Sequence, residues 1–428
     1  MASAMRRRIK TIAWTFVLTL AATLLALNLT SGEKKLDEQI KREYTLHDPQ
    51  YQRALGVMLG PPITEGNRFK ALYNGDQIFP PMLDAIRGAQ QSITFETYIY
   101  WSGDIGQAFA DALAERARAG VKVHVLLDWL GSAKVDEGFI REMERAGVEI
   151  RKFHKPDWYD IARMNNRTHR KLLVVDGRIG FTGGVGIAPA WTGDAQDAEH
   201  WRDSHFQVEG PVVAQMQAVF MDNWVKVAGD VLHGARYFPA LAPVGDGRAQ
   251  MFSSSPSGGS ESMHLMYLLS IAAATRTIDL SSAYFVPDDL TVGALVAALQ
   301  RGVRVRIITP GPIIDSKTVR SASRAAWGPL LEAGAQISEY QPTMFHCKVF
   351  TVDGLLVSVG STNFDNRSFR LNDEANLNIY DEAFAKAQTV QFERDLQQSR
   401  RLTLEAWKER PLREKVIERV AALLSDQL

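Results

Sequence analysis

Residues Thr168–Gly184 read THRKLLVVDGRIGFTGG, and residues Phe345–Ser361 read FHCKVFTVDGLLVSVGS. In both, a lysine follows a histidine by two residues, an aspartate follows it by seven and a glycine by fourteen. The members are His169, Lys171, Asp176 and Gly183 in the first stretch, and His346, Lys348, Asp353 and Gly360 in the second. One such triplet arises by chance in roughly a few per cent of chains this long, and two in register arise far more rarely. HRKLLVV and HCKVFTV are strand-like, so residues i and i+2 share a face. Histidine and lysine therefore emerge together, while Arg170 and Cys347 point the other way. Asp-Gly signals a tight hairpin, and the chain returns as RIGFTGG or LLVSVGS. Each aspartate lies five residues past its lysine, about 16 Å along an extended strand. That separation gives Asp176 and Asp353 to the turn rather than to atoms that the histidines meet.

Outward from these stretches the chain repeats itself. Ile93–Tyr100 (ITFETYIY) reads as a strand, and Ile105, Phe109 and Leu113 follow at helical spacing. Gly120 stops that helix before a buried strand, Val121–Leu127. The second copy has Ile278–Val286, a helix with Leu295, Val296 and Leu299, Gly302, then Val303–Ile308. Glu142–Ile150 and Leu331–Ile337 each read as a helix end and a strand. This alternation predicts an α/β protein with two pseudo-twofold-related lobes, each a mainly parallel sheet flanked by helices. Ser253–Ser260 (SSSPSGGS) reads as a flexible loop where the second lobe begins.

The chain has 428 residues, with 49 basic and 49 acidic side chains. Zero net charge argues against a general nucleic-acid binder. One cysteine excludes an intramolecular disulfide framework and a cysteine-cluster zinc site, and there is no HExxH motif. Thr11–Leu29 is strongly apolar and follows Arg6, Arg7, Arg8 and Lys10. No small-residue cleavage pattern follows it, so the expectation is a single-pass transmembrane helix, with the N-terminus cytoplasmic. The expected organisation is a membrane anchor over 1–32, a membrane-proximal helix and linker over 33–64, lobes over 65–245 and 246–410, and a C-terminal amphipathic helix over 411–428. Val416, Ile417, Val420 and Leu424 give that last helix an apolar face expected to pack on a lobe.

Two imidazoles can serve as nucleophile and general acid, and two ammonium groups stabilise a growing anion. The matching substrate is a phosphodiester, with one histidine forming a covalent phosphohistidine and the other moving protons. The lysines supply the positive charge, so neither metal nor cofactor is expected. Gly183, Gly184, Gly360, Ser361 and Asn363, at the ends of the return strands, are expected to approach the phosphate. The seven other histidines (His47, His124, His154, His200, His205, His233 and His264) carry no such pattern and read as structural or surface groups.

At these residues the sequence resembles the phospholipase D superfamily, whose signature is a duplicated HxKxxxxD motif. NNRTHRK (Asn165–Lys171), WRDSHFQVEGP (Trp201–Pro211), AYFVPDD (Ala283–Asp289) and GSTNFDNRSFRLNDEANL (Gly360–Leu377) are similar to its bacterial cardiolipin synthase branch. The resemblance implies an active site between two lobes and a catalytic set of His169, Lys171, Asp176, His346, Lys348 and Asp353. It implies His169 as nucleophile, His346 as acid/base, and carboxylates behind the histidines, for which Asp203 and Glu374 are the candidates. The implied activity is phosphatidyl transfer between phosphatidylglycerol molecules at a bilayer, giving cardiolipin. Hydrolysis to phosphatidic acid is the alternative, followed by a nuclease or a non-catalytic membrane scaffold. Two features depart from the family pattern: Gly186 stands where an asparagine is common, and there is one N-terminal apolar segment where two are frequent. Phe153–Asn166, with Trp158, Tyr159, Ile161, Arg163 and Met164, has no second-lobe counterpart and reads equally as a lipid contact or a surface loop.

Overall fold

The structure, a computed structural model, describes residues 2–29, 36, 38–155, 165–256 and 261–427. The first lobe contributes β1 (Thr64–Tyr73), β2 (Ser92–Thr97), β3 (Lys122–Asp128), β4 (Glu149–Phe153), β5 (Arg167–Thr168), β6 (Leu172–Val175), β7 (Ile179–Gly183) and β8 (Ser204–Glu209). The second contributes β9 (Gly247–Ser254), β10 (Thr277–Ser282), β11 (Phe285–Val286), β12 (Arg304–Pro310), β13 (Gln336–Tyr340), β14 (Lys348–Val352), β15 (Leu356–Gly360), β16 (Phe364–Asp365), β17 (Asn372–Tyr380) and β18 (Ser399–Leu402). Ser253 and Ser254 lie inside β9, so the second lobe starts before the serine-rich stretch, whose residues 257–260 lie outside the described residues.

One 16-stranded sheet runs β18-β13-β12-β10-β14-β15-β17-β9-β1-β8-β7-β6-β2-β3-β4, with β5 paired to β17 off this path. Outward from the antiparallel β1–β9 pair, both halves follow the same strand path, which is the duplication made visible. Each half is mixed rather than mainly parallel. β2–β3–β4 and β10–β12–β13 pair in parallel, as do the short pairs β5–β17 and β11–β16, whereas β6–β7–β8 and β14–β15–β17 are antiparallel. The cause is the Asp-Gly turn. Asp176 (φ 53°) with Gly177 (φ 62°), and Asp353 (φ 52°) with Gly354 (φ 67°), close two-residue hairpins of left-handed backbone, which reverse the strand instead of crossing over.

Each lobe has its own apolar core, and a third core joins them. That seam packs Leu172, Phe206 and Val208 of the first lobe against Met251, Val359 and Leu377 of the second. Burying each such side chain stabilises by roughly 1.5–3 kcal/mol, so this seam holds the two lobes together.

The segment expected as a linker is part of the second core. Asp48 caps a helix, Pro49–Met58, by accepting from Gln50 N–H. Tyr51 and Leu55 of that helix are buried in the second-lobe core, and Tyr51 Oη meets Ser270 Oγ at 2.8 Å. The N-terminal apolar segment is helical over Ala2–Leu29. Ile12, Trp14, Phe16 and Leu18 on it are exposed. Among the described residues no helix is long and apolar enough to cross a membrane.

The last helix, Leu412–Ala422, corrects another expectation. It docks through Glu418, which accepts from Arg324 Nε at 2.9 Å and Arg410 Nε at 2.6 Å. Val416, Ile417, Val420 and Leu424 are exposed. The docked face carries Glu418 and Ala421, the latter packed with Val286, Val319 and Ala322, and not the apolar stripe.

Candidate active site

His169 and His346 sit where each motif strand crosses the other lobe. β5 lies parallel to the start of β17, pairing Thr168 with Asp373, and His169 N–H donates to Asp373 O at 2.9 Å. Arg202 forms an equivalent parallel bridge to Phe345, and His346 N–H donates to Arg202 O at 2.8 Å. The residue after each crossing point is a buried carboxylate. Glu374 therefore faces His169, with its oxygens 2.9 and 3.1 Å from Nδ1, and Asp203 faces His346 Nδ1 at 2.7 Å. Each imidazole is oriented by a carboxylate of the opposite lobe. A carboxylate at Nδ1 fixes the proton there and leaves Nε2 as the nucleophilic or basic atom.

Burial dominates the electrostatics. It lowers the His169 pKa to about 4, against the opposing pull of Glu374, and it lowers that of His346 as well. Both rings are thereby held neutral near pH 7. Glu374 and Asp203 lie below the ordinary carboxylate range despite burial, because each faces a histidine and a lysine. Lys171 donates to His169 O at 2.7 Å, and Lys348 donates to His346 O at 2.8 Å while standing 3.2 Å from both ring nitrogens. Burial brings Lys171 down to about 7 and lowers Lys348 too. An arriving phosphodiester anion would favour the charged form of both.

His169, Lys171 and His346 line one cavity of about 440 Å³. Its first-lobe wall combines Ile99, Trp101, Leu130, Trp191 and Trp201 with Arg167 and with Tyr98 against the His169 ring. Its second-lobe wall is polar: Tyr284, Asp315, Asn363, Arg367 and Asn372. The wider hollow along Ala4–Ile12 is an open helix flank without histidine or carboxylate. Among the described residues no group of three or more His, Cys, Asp or Glu is placed to hold a metal ion.

The structure moves several expected residues away from the reacting atoms. Asp176 sits in its turn and accepts from the backbone N–H groups of Gln90, Gln91 and Ser92. Asp353 accepts from those of Thr275, Arg276 and Thr277 and from the Thr275 hydroxyl. Both clamp the start of the neighbouring strand and are not catalytic. Gly184 makes room for the Asp203 carboxylate, Gly183 for His205, and Gly360 for the backbone of Ala375 and Asn376. A Cβ at any of the three would collide with these atoms, so they serve the close approach of strands rather than of a phosphate. Ser361 donates to Glu374 Oε2 at 2.5 Å and so orients a carboxylate. Of the five, Asn363 alone lines the cavity, and its Oδ1 is buried without a partner.

Comparison with known proteins agrees with this geometry. The family described as "Cardiolipin synthase, PLD-like domain" matches residues 82–224 and 267–396. The chain belongs to that family. It is 32% identical over 403 residues to cardiolipin synthase 2 of Bacillus anthracis, covering 93% of this chain and 77% of the relative. It is 35% identical over 370 residues to a cardiolipin synthase of a Geobacillus species, covering 86% and 74%. The fold is shared with the phosphatidylserine synthase of Haemophilus influenzae Rd KW20, at TM-score 0.67 and 13% identity, covering 89% of this chain and all of that one.

Within the cardiolipin synthase-like framework, the missing asparagine has a local explanation. A Cβ at Gly186 would press on Ile99 and the Trp191 ring. Trp191 Nε1 donates to Asp203 Oδ2 at 2.9 Å, so an indole supplies a polar contact behind His346 while filling the space beside the glycine. The sequence reading missed Trp191, Trp201, Tyr284, Asp315 and Asn372. Trp201, Tyr284 and Asn372 lie inside segments quoted for the resemblance, but their meeting in one cavity wall depends on the closed fold. It also missed Arg202, whose guanidinium pairs with Asp395 at 2.9 and 2.8 Å and holds the crossing strand in place. Trp158, Tyr159, Ile161, Arg163 and Met164 lie outside the described residues. His124, His205 and His264 are buried; His124 bonds the Tyr237 hydroxyl and His264 the Thr291 hydroxyl.

Proposed function

We propose that this chain is a phosphatidyltransferase that converts two phosphatidylglycerol molecules into cardiolipin and glycerol. The observation that carries the reading is the pair of cross-lobe imidazole–carboxylate couples facing a single cavity, in a chain of the cardiolipin synthase family. His169 Nε2 attacks phosphorus as the glycerol C–O–P bond breaks on the phosphorus side. The entering phosphodiester anion favours uptake of a solvent proton at His346 Nε2; that proton passes to the departing alkoxide, leaving His346 neutral and a phosphatidyl group on His169. A hydroxyl of the second phosphatidylglycerol then loses its proton to His346 and attacks phosphorus, and the P–N bond to His169 breaks. Lys171 and Lys348 offset the charge on the phosphoryl oxygens.

Membrane association belongs to the same proposal. Exposed Leu412, Val416, Val420 and Leu423 form an apolar flank on the C-terminal helix, and Ile12, Trp14 and Phe16 add another at the N-terminus. The chain beyond that helix reaches the cavity wall, where Gln427 O accepts from the lining residue Arg367 at 3.0 Å. Such surfaces suit interfacial contact with a bilayer.

The test is product analysis by mass spectrometry after incubating the purified chain with vesicles of phosphatidylglycerol. Cardiolipin with stoichiometric glycerol is expected. Phosphatidic acid without cardiolipin would identify a hydrolase and reject the transferase reading.

A further inference from the structure

The two walls of the cavity differ in hydrogen-bonding character, not only in polarity. Asp315 lies in the loop that follows β12, at the mouth of the cavity. The Tyr284 hydroxyl donates to its Oδ2 at 2.5 Å, which leaves Oδ1 for a ligand. Asn372 donates through Nδ2 to Glu374 Oε1 at 3.2 Å, and this fixes its amide so that Oδ1 is an acceptor, buried and without a partner. Asn363 Oδ1 is also buried and unpaired. The second-lobe wall therefore presents acceptors. A phosphodiester has no proton to give them, and an unmet buried acceptor is costly. Hydroxyl groups of a ligand would meet them. An ammonium would as well, but Lys171 and Arg367 line the same cavity and oppose a cationic headgroup.

We propose that Asp315, held by Tyr284, together with Asn372, forms a subsite for a polyhydroxyl alcohol along the second-lobe wall of the cavity, selecting glycerol-type headgroups over monohydric alcohols and water. This rests on the transferase reading and deepens it. The first-lobe wall would take the glycerol backbone and first acyl carbons of the donor, and the second-lobe wall the hydroxyls of the leaving or entering alcohol. In this scheme a bound diol occupies the space from which water would otherwise attack.

The experiment is an acceptor competition. The full chain acts on phosphatidylglycerol vesicles with deuterated glycerol, 1-propanol and ethanolamine at equal concentration, and the phosphatidyl products are counted by mass. The wild-type chain is expected to favour glycerol. Asp315→Ala is expected to lower the ratio of glycerol to propanol products about tenfold, the scale of a hydrogen bond to a charged group. Tyr284→Phe is expected to lower the ratio less, in the same direction, and it serves where Asp315→Ala does not fold. The ratio is internal to each reaction and does not depend on total activity. Wild-type ratios in both folded variants would overturn the subsite, as would a wild-type preference for ethanolamine. Absence of every phosphatidyl alcohol with the wild-type chain would reject the transferase reading itself, a result distinct from an unaltered ratio.

Discussion

Replacing Glu374 with glutamine removes one negative charge and little else. The variant side chain can turn Oε1 toward His169 Nδ1–H and the Asn372 amide. Its Nε2 then faces Ser361 Oγ, whose proton can go to Ala375 O, 3.3 Å away. No buried group is left unpaired, so the fold should survive. The loss lies in stabilising positive charge on the ring as the N–P bond forms. Exchanging a charge-assisted hydrogen bond for a neutral one costs about 1–1.5 kcal/mol. The direct attraction of imidazolium for carboxylate near 4 Å is about 4 kcal/mol at an effective dielectric of 20. These bound the expected fall in kcat/KM between about tenfold and 10³-fold. The pH profile supplies the decisive sign. Glu374 raises the His169 pKa, so its removal lowers that value further. Attack needs neutral imidazole, and the acid limb set by His169 should therefore move to lower pH even as the rate falls. A merely structural carboxylate would lower the rate without moving the limb. Steady-state kinetics on phosphatidylglycerol vesicles across pH measures both. Wild-type kcat/KM, or a limb displaced toward higher pH, would refute the reasoning.

Three further outcomes are expected. Lys171→Met should raise thermal stability at pH 7 by a few degrees while reducing turnover at least 10³-fold. The folded chain holds Lys171 down to about 7, so the unfolded state binds more protons between about pH 7 and 10.5 and the wild-type stability rises through that window. The gap between the two melting temperatures should accordingly close as pH approaches 10.5. Asp353→Ala should destabilise by roughly 2–4 kcal/mol in denaturant titrations, since three backbone N–H groups lose an acceptor, while the folded fraction keeps its turnover. Val416→Glu with Val420→Glu should weaken co-flotation with anionic vesicles and leave the melting temperature within about a degree, because neither side chain is packed.

The motif's histidines and lysines were legible because strand periodicity alone puts residues i and i+2 on one face, and the Asp-Gly turns were legible because their backbone preference is local. Duplication told that the halves would be alike. The sequence could not say that the hairpins would make each sheet mixed, since strand direction depends on which strand a segment finds as neighbour. Nor could spacing alone join Glu374 to His169 across 205 positions or Asp203 to His346 across 143. Those pairings follow from β5 crossing β17 and Arg202 bridging Phe345, contacts that exist only once the interlobe core has closed. The same limit explains the C-terminal helix: periodicity identified its apolar stripe but not what would cover it, and Glu418 found Arg324 and Arg410 first. What the chain's own order determined was two half-sites. Tertiary packing decided that they share one cavity and that its walls differ, because hydrogen bonding and burial between distant segments are properties of the closed fold.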